Sequence, residues 1–164
     1  MGLLVPIPPN LTFHHPAVLL STWFGVGLLR PAPGTLGSLA ALPFGWALLT
    51  FGGRPVLLGM TLAIVLLGLW ASHVYAQAEQ SSDPASVVID EVAGQWIALI
   101  AAPLTPLGFA LAFLIFRFYD ILKPWPVDLA ERRLPGAWGI MGDDIVAGIY
   151  AMVVMFLIDF WLLS

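Results

Sequence analysis

The chain has 164 residues, of which 60% are hydrophobic and only 10% charged, a balance that points to one domain of membrane-protein composition. Ten acidic against six basic residues give a net charge of -4, which offers no basic field for nucleic acid. The absence of cysteine excludes disulfides, thiolate metal sites and thiol nucleophiles, leaving carboxylates, hydroxyls and three histidines as the chemical inventory.

Residues 1–15, MGLLVPIPPNLTFHH, are rich in proline and lack the positively charged start of a signal peptide. They read as a surface segment ahead of one membrane-embedded domain over 16–164. Apolar stretches follow at 16–29, 37–52, 55–76, 87–102, 106–122 and 143–163, the first of them short enough to be interfacial or half-inserted. The pattern predicts an all-α, polytopic membrane bundle with about five transmembrane or partly inserted helices. A 16-residue helix covers only about 24 Å of a ~30 Å hydrocarbon core, so the shorter spans are expected to lean on their neighbours or thin the bilayer.

Two kinds of connector alternate. FGGRP at 51–55 and APLTP at 102–106 are short Gly/Pro turns, whereas 30–36, 77–86 and 123–142 are longer and more polar. The long connectors are expected on one face, with Arg30, Arg117, Lys123, Arg132 and Arg133 against Arg54 alone on the other. The positive-inside rule makes that face cytoplasmic.

The acidic residues of the apolar stretches fall at this same face. VVIDEVAGQW places Asp90 and Glu91 side by side near a helix start, and GDDIVAG repeats the arrangement with Asp143 and Asp144. Each pair is followed within about a turn by Ala-Gly. Acids at a helix N-terminus satisfy unpaired N–H groups and the macrodipole, worth about 0.3 to 1 kcal/mol each, and that is the plainer reading of either pair. It does not explain why both pairs are double, since the second acid adds repulsion. A divalent cation removes that repulsion, and Mg²⁺ prefers carboxylate, phosphate and water oxygens. The small residues one turn further in would let the two helices approach and bring both pairs to one site, with Gln95 on the face of Glu91.

RPAPGTLGSLAALP, residues 30–43, offers Arg30, backbone N–H groups at Gly34 to Gly37 and the hydroxyls of Thr35 and Ser38 as an anion site. A Pro-Gly turn with Thr35 or Ser38 as helix cap accounts for the same residues. FRFYDILKPWP spaces Arg117, Asp120 and Lys123 at i, i+3 and i+6 at the end of a span, placed either to grip an anionic headgroup or to anchor the helix at the interface with Trp125. Residues 127–142 read as a short amphipathic surface piece carrying Arg132 and Arg133. His14, His15 and His73 read as interfacial or packed polar residues rather than as a nucleophile.

PAPGTLGSLAALP, DPASVVIDEVAGQW, FRFYDILKPWP and GIMGDDIVAG, taken together and in this order over roughly residues 20–155, resemble the phosphatidylglycerophosphatase A family of bacterial inner-membrane lipid phosphatases. The resemblance implies Mg²⁺-dependent hydrolysis of phosphatidylglycerophosphate to phosphatidylglycerol and phosphate by a multi-pass protein at the cytoplasmic leaflet. It also implies Asp90, Glu91, Asp143 and Asp144 at or near the active site, with Asp120 a further candidate. On that basis the two acidic pairs are expected to hold one or two Mg²⁺ ions, and Arg30, Thr35, Ser38, Arg117 and Lys123 to contact phosphate. Attack by water and an aspartyl-phosphate intermediate both remain open. The competing expectations are another phospholipid-headgroup enzyme, such as a CDP-alcohol phosphotransferase, and a cation-binding or transport protein.

Overall fold

The computed structural model describes residues 3–163, the side chains of residues 131, 162 and 163 excepted; Met1, Gly2 and Ser164, the outermost positions of the two expected segments, lie outside it. The described residues form helices and no strand, apart from one antiparallel bridge between Leu4 and Leu29. In chain order the helices are α1 (Pro16–Ser21), α2 (Pro33–Glu79), α3 (Ile89–Leu99), α4 (Pro106–Leu122), α5 (Val127–Arg133) and α6 (Ala137–Ile158), with a 3₁₀ turn at Val26–Leu28 and a π turn at Asp159–Leu163.

Local chemistry sets most of these boundaries. α4 opens on Pro106, with Thr105 Oγ1 accepting from Gly108 N at 3.1 Å, and closes where Lys123 turns into the left-handed region. α2 is interrupted at Gly53, whose φ of 69° and ψ of -174° fit no L-residue helix. Pro33 and Gly34 at its start line the same pocket as Ser82 and Asp83 just beyond its end. A straight helix of 47 residues would hold those ends about 70 Å apart, so the break at Gly53 reverses the chain. The short turn at 51–55 therefore joins two antiparallel arms.

α3 is the centre of the fold. Ten of its 11 residues are buried, and from Trp96 to Leu99 its sequence is apolar on every side. Its fit against the first arm of α2 is close: Trp96 Nε1 donates to the Ala41 carbonyl at 2.9 Å, and a Cβ on Gly45 would lie 2.5 Å from Leu99 Cδ1. Against α6 the contact is backbone to backbone. A Cβ on Gly148 would meet the Gly94 carbonyl oxygen at 2.6 Å, and one on Gly94 would meet the Asp144 carbonyl oxygen at 2.6 Å. The Ala-Gly steps of the two acidic motifs are thus the crossing point of α3 and α6.

The outer faces are apolar. Leu62, Leu66 and Trp70 on α2, Leu114 and Phe118 on α4, and Val153 and Phe156 on α6 are all exposed. Among the described residues two helices are long and apolar enough to cross a membrane, Pro33–Glu79 and the stretch Ala137–Trp161. The expected count of about five spans is not supported. With 11 residues α3 is about 16 Å long, and the 17 residues of α4 reach about 26 Å, both short of a ~30 Å core.

Two further expectations change. α6 starts at Ala137, so residues 137–142 belong to it and the amphipathic surface piece is α5 alone. Asp143 and Asp144 therefore sit two turns inside a helix, where backbone N–H groups already have partners, and end-capping does not account for that pair. Neither Thr35 nor Ser38 caps α2, whose N-cap position is Ala32 with no side-chain bond; Ser38 Oγ instead donates back to the Gly34 carbonyl at 3.0 Å.

Candidate active site

The polar connectors at 30–36, 77–86 and 123–142 all contribute to one cavity of about 470 Å³ at one end of the bundle. Its floor carries five carboxylates, Asp90 and Glu91 from α3, Asp120 from α4, and Asp143 and Asp144 from α6, together with Arg117 and Lys123. The loop before α3 is pinned on three sides. Tyr75 and Ser86 share a hydrogen bond of 3.2 Å between hydroxyls, Val88 N donates to the Ser21 carbonyl at 2.7 Å, and Gly27 packs directly on the Ser86 carbonyl. Those contacts fix where α3 begins and hence where Asp90 and Glu91 sit. Asp90 Oδ1 accepts from Glu91 N at 3.1 Å, so this pair keeps a helix-terminal role as well.

The carboxylates divide into two groups. Asp90, Glu91 and Asp144 each present an oxygen within 4.8 Å of the other two. Asp143, although adjacent in sequence to Asp144 and lining the same pocket, is not part of that triad and accepts from Lys123 Nζ at 2.8 Å. Lys123 reaches it because the residue stands in the left-handed region, φ 43°, where α4 ends. Asp120 pairs with Arg117 one turn earlier on α4 and lines the same pocket as Asp144. Arg117 Nη1 also approaches Glu91 Oε1 at 3.9 Å and Ser38 Oγ at 3.4 Å.

With the exposed Asp83 of the loop before α3 included, six acids against two cations leave a formal excess of four negative charges in a pocket whose Asp90, Asp120, Asp143 and Asp144 are all buried. Such a cluster is costly in a low-dielectric surrounding unless further positive charge enters. The donor set fits a hard divalent cation: it is all oxygen, three carboxylates converge, and Glu91 Oε2 is a buried acceptor with no hydrogen-bond partner.

The expected phosphate contacts are brought together only in part. Arg117 and Lys123 line the pocket, and Ser38 stands behind Arg117. Arg30 and Thr35 do not line it, and Arg30 is exposed three residues before Pro33. The first turn of α2 is not an open anion nest: Gly34 packs on Glu91 Oε1, so close that any side chain there would collide with the carboxylate. Gln95 is fully buried a turn below Glu91 and makes no hydrogen bond to a carboxylate among the described residues. None of the three histidines lines the pocket. Lining residues that sequence reasoning did not single out are Ser82, Asp83 and Pro84 before α3 and Gly136 and Gly139 at the start of α6. The Asp-Pro step at 83–84 was the available signal for the first group, as a turn that aims a loop.

Fold and site together define a class: an all-helical protein with apolar outer faces and, at one end, an acid-lined pocket furnished with two cations. Within that class the chain belongs to the phosphatidylglycerophosphatase A family, whose family model matches residues 19–159. It is 41% identical over 155 residues to the phosphatidylglycerophosphatase A of Haemophilus influenzae, covering 94% of this chain and 95% of that one. It is 39% identical over 150 residues to the Escherichia coli K12 protein of the same name, covering 91% of this chain and 87% of the relative. A candidate phosphatidylinositol-3-phosphatase of Bacteroides thetaiotaomicron is 37% identical over 145 residues, 84% of this chain and 90% of that protein. No solved structure matches at comparable significance.

Proposed function

We propose that this protein is a lipid phosphatase that hydrolyses phosphatidylglycerophosphate to phosphatidylglycerol and phosphate. The observation that carries the reading is the convergence of Asp90, Glu91 and Asp144 beside Arg117 and Lys123 in a chain of this family. The relatives' names share one chemistry, a phosphomonoester on a lipid headgroup. Family membership does not favour the phosphotransferase or transport alternatives, and the gathering of charge at one end of the bundle, rather than at mid-depth, argues against transport as well.

In this reading Asp90, Glu91 and Asp144 hold Mg²⁺, which when bound neutralises phosphate charge in the transition state. Arg117 and Lys123 present their further N–H donors to the non-bridging oxygens while each stays paired with its carboxylate. Water attacks phosphorus, the bond from phosphorus to the headgroup oxygen breaks, and the proton that the water gives up ends on the departing lipid oxygen, leaving phosphatidylglycerol and phosphate. Asp120, paired with Arg117, keeps the guanidinium aimed at the pocket. Thr35 has no part in this arrangement, and Asp143 acts by holding Lys123.

The protein is placed as a multi-pass component of the bacterial inner membrane, with the two arms of α2 and with α6 crossing it, α3 and α4 packed at partial depth, and the pocket facing the cytoplasm. Support comes from the apolar outer faces and from the distribution of basic residues, with Arg117, Lys123, Arg132 and Arg133 at the pocket end and Arg54 at the turn between the arms. The test is phosphate release from phosphatidylglycerophosphate by the purified protein, with Mg²⁺ and with chelator. Release that Mg²⁺ supports and chelator abolishes is expected; no release under either condition would refute the function.

A further inference from the structure

A second concavity, about 720 Å³, lies beside the first and differs from it in kind: every residue lining it is apolar. One wall is the N-terminal stretch from Leu4 to Ile7, the other Phe13 with the segment from Phe24 to Leu29. The walls are joined by a short ribbon, in which Val5 N donates to the Leu28 carbonyl at 2.8 Å and Arg30 N to the Leu3 carbonyl at 3.0 Å.

The two cavities are neighbours at two places. Gly27, between groove residues 26 and 28, packs on the Ser86 carbonyl and the Val88 side chain, while Ala85 and Val87 line the acidic pocket. Leu29 lines the groove and Pro33 the pocket, four residues and at most ~14 Å apart. Between them Arg30, Pro31 and Ala32 are all exposed. Arg30 forms no ion pair among the described residues, so its guanidinium is available to an anion from outside.

Apolar groove, exposed cation and acid-lined phosphate pocket therefore follow one another in space. A diacyl lipid with a phosphodiester and a terminal phosphomonoester has the same order of parts: hydrocarbon, one negative charge, then the reacting group. We propose that the concavity lined by Leu4, Ile7, Phe13, Phe24 and Leu29 seats an acyl chain of the substrate and that Arg30 binds the phosphodiester of the same molecule. This rests on the lipid-phosphatase reading and extends it from the reacting phosphate to the rest of the lipid. It also gives Arg30 a partner, although it lies outside the pocket where its contact with phosphate was expected. Arginine suits the task because its planar guanidinium offers paired N–H donors to two oxygens of one phosphate.

Three substrates separate the contributions in mixed micelles with Mg²⁺: dioleoyl phosphatidylglycerophosphate, its fully deacylated form, and glycerol 3-phosphate, which lacks both hydrocarbon and phosphodiester. Arg30→Ala should lower kcat/KM for the deacylated diphosphate relative to glycerol 3-phosphate by about tenfold, mostly through KM, and Arg30→Lys should recover part of that ratio. Leu4 is exposed at the groove edge, so Leu4→Asp should fold, and it should lower kcat/KM for the dioleoyl lipid relative to its deacylated form by about fivefold. An unchanged ratio in either variant overturns the proposal. In particular, a Leu4→Asp protein that binds vesicles less well yet keeps its dioleoyl-to-deacylated ratio would make the groove a contact for bulk bilayer. Failure of the underlying reading looks different, because wild-type protein would then release phosphate from none of the three.

Discussion

The two acidic pairs look alike in sequence and do different things in the fold. Asp90 and Glu91 open α3, a helix buried on nearly every side, and both turn toward the same cluster. Asp143 and Asp144 lie two turns inside α6, a helix with one face turned outward, and they part company: Asp144 joins the cluster and Asp143 goes to Lys123. Adjacent positions on a helix differ by about 100°, so two neighbouring acids on a helix with one inward face cannot both meet a single point as easily as two on a buried helix end. What unites the pairs is the glycine contact below them. Gly94 and Gly148 let α3 and α6 touch backbone to backbone, and the acids one turn above inherit that proximity.

The comparison can be broken most forcefully at Asp144. Asp144→Asn removes a cluster oxygen with its charge and should reduce phosphate release by about a thousandfold or more, since a group acting in the transition state is lost. The same variant should melt at a higher temperature than wild type in chelator, because one of the crowded negative charges is gone; a lower melting temperature would mean the carboxylate is structural. A smaller effect is expected one turn below. Gly148→Leu places a side chain where the Gly94 carbonyl stands 2.6 Å from a Cβ, and should cost about 3 kcal/mol by forcing the helices apart, read as a lowered unfolding temperature in detergent. Unchanged stability would show that the crossing does not depend on close approach. The smallest effect belongs to Asp143→Asn, which should lower turnover by about tenfold, with Lys123→Ala similar and the double variant no worse than either alone. Losses that multiply in the double variant would place Asp143 in the cluster after all.

Much of this arrangement is legible in the sequence, because it depends on local chemistry. Thr105-Pro106 announces α4, the Gly-Gly step at 52–53 announces the reversal of α2, and the Ala-Gly steps beside both acidic pairs announce the crossing. The start of α6 is not legible, since residues 127–142 read as one amphipathic surface piece. Gly142 is instead a packing position, where a Cβ would lie 2.5 Å from Leu134 Cδ1 on the chain that follows α5. The division between Asp143 and Asp144 is hidden for a related reason, because it depends on the left-handed turn at Lys123 that carries the amine across to α6. Thr35 falls outside the pocket lining, and the anion facing the first turn of α2 is Glu91 of the protein itself, a contact between residues far apart in sequence.

In the proposed function the meeting of α3 and α6 builds one divalent-cation site from Asp90, Glu91 and Asp144, with Asp143 outside it. Mn²⁺ binding, followed by the loss of the free-ion electron paramagnetic resonance signal, tests this directly on wild type, Asp144→Asn and Asp143→Asn. Wild type should bind saturably, with affinity weakened by about a hundredfold in Asp144→Asn and within about threefold of wild type in Asp143→Asn. Equal affinity in wild type and Asp144→Asn would contradict that assignment of the site.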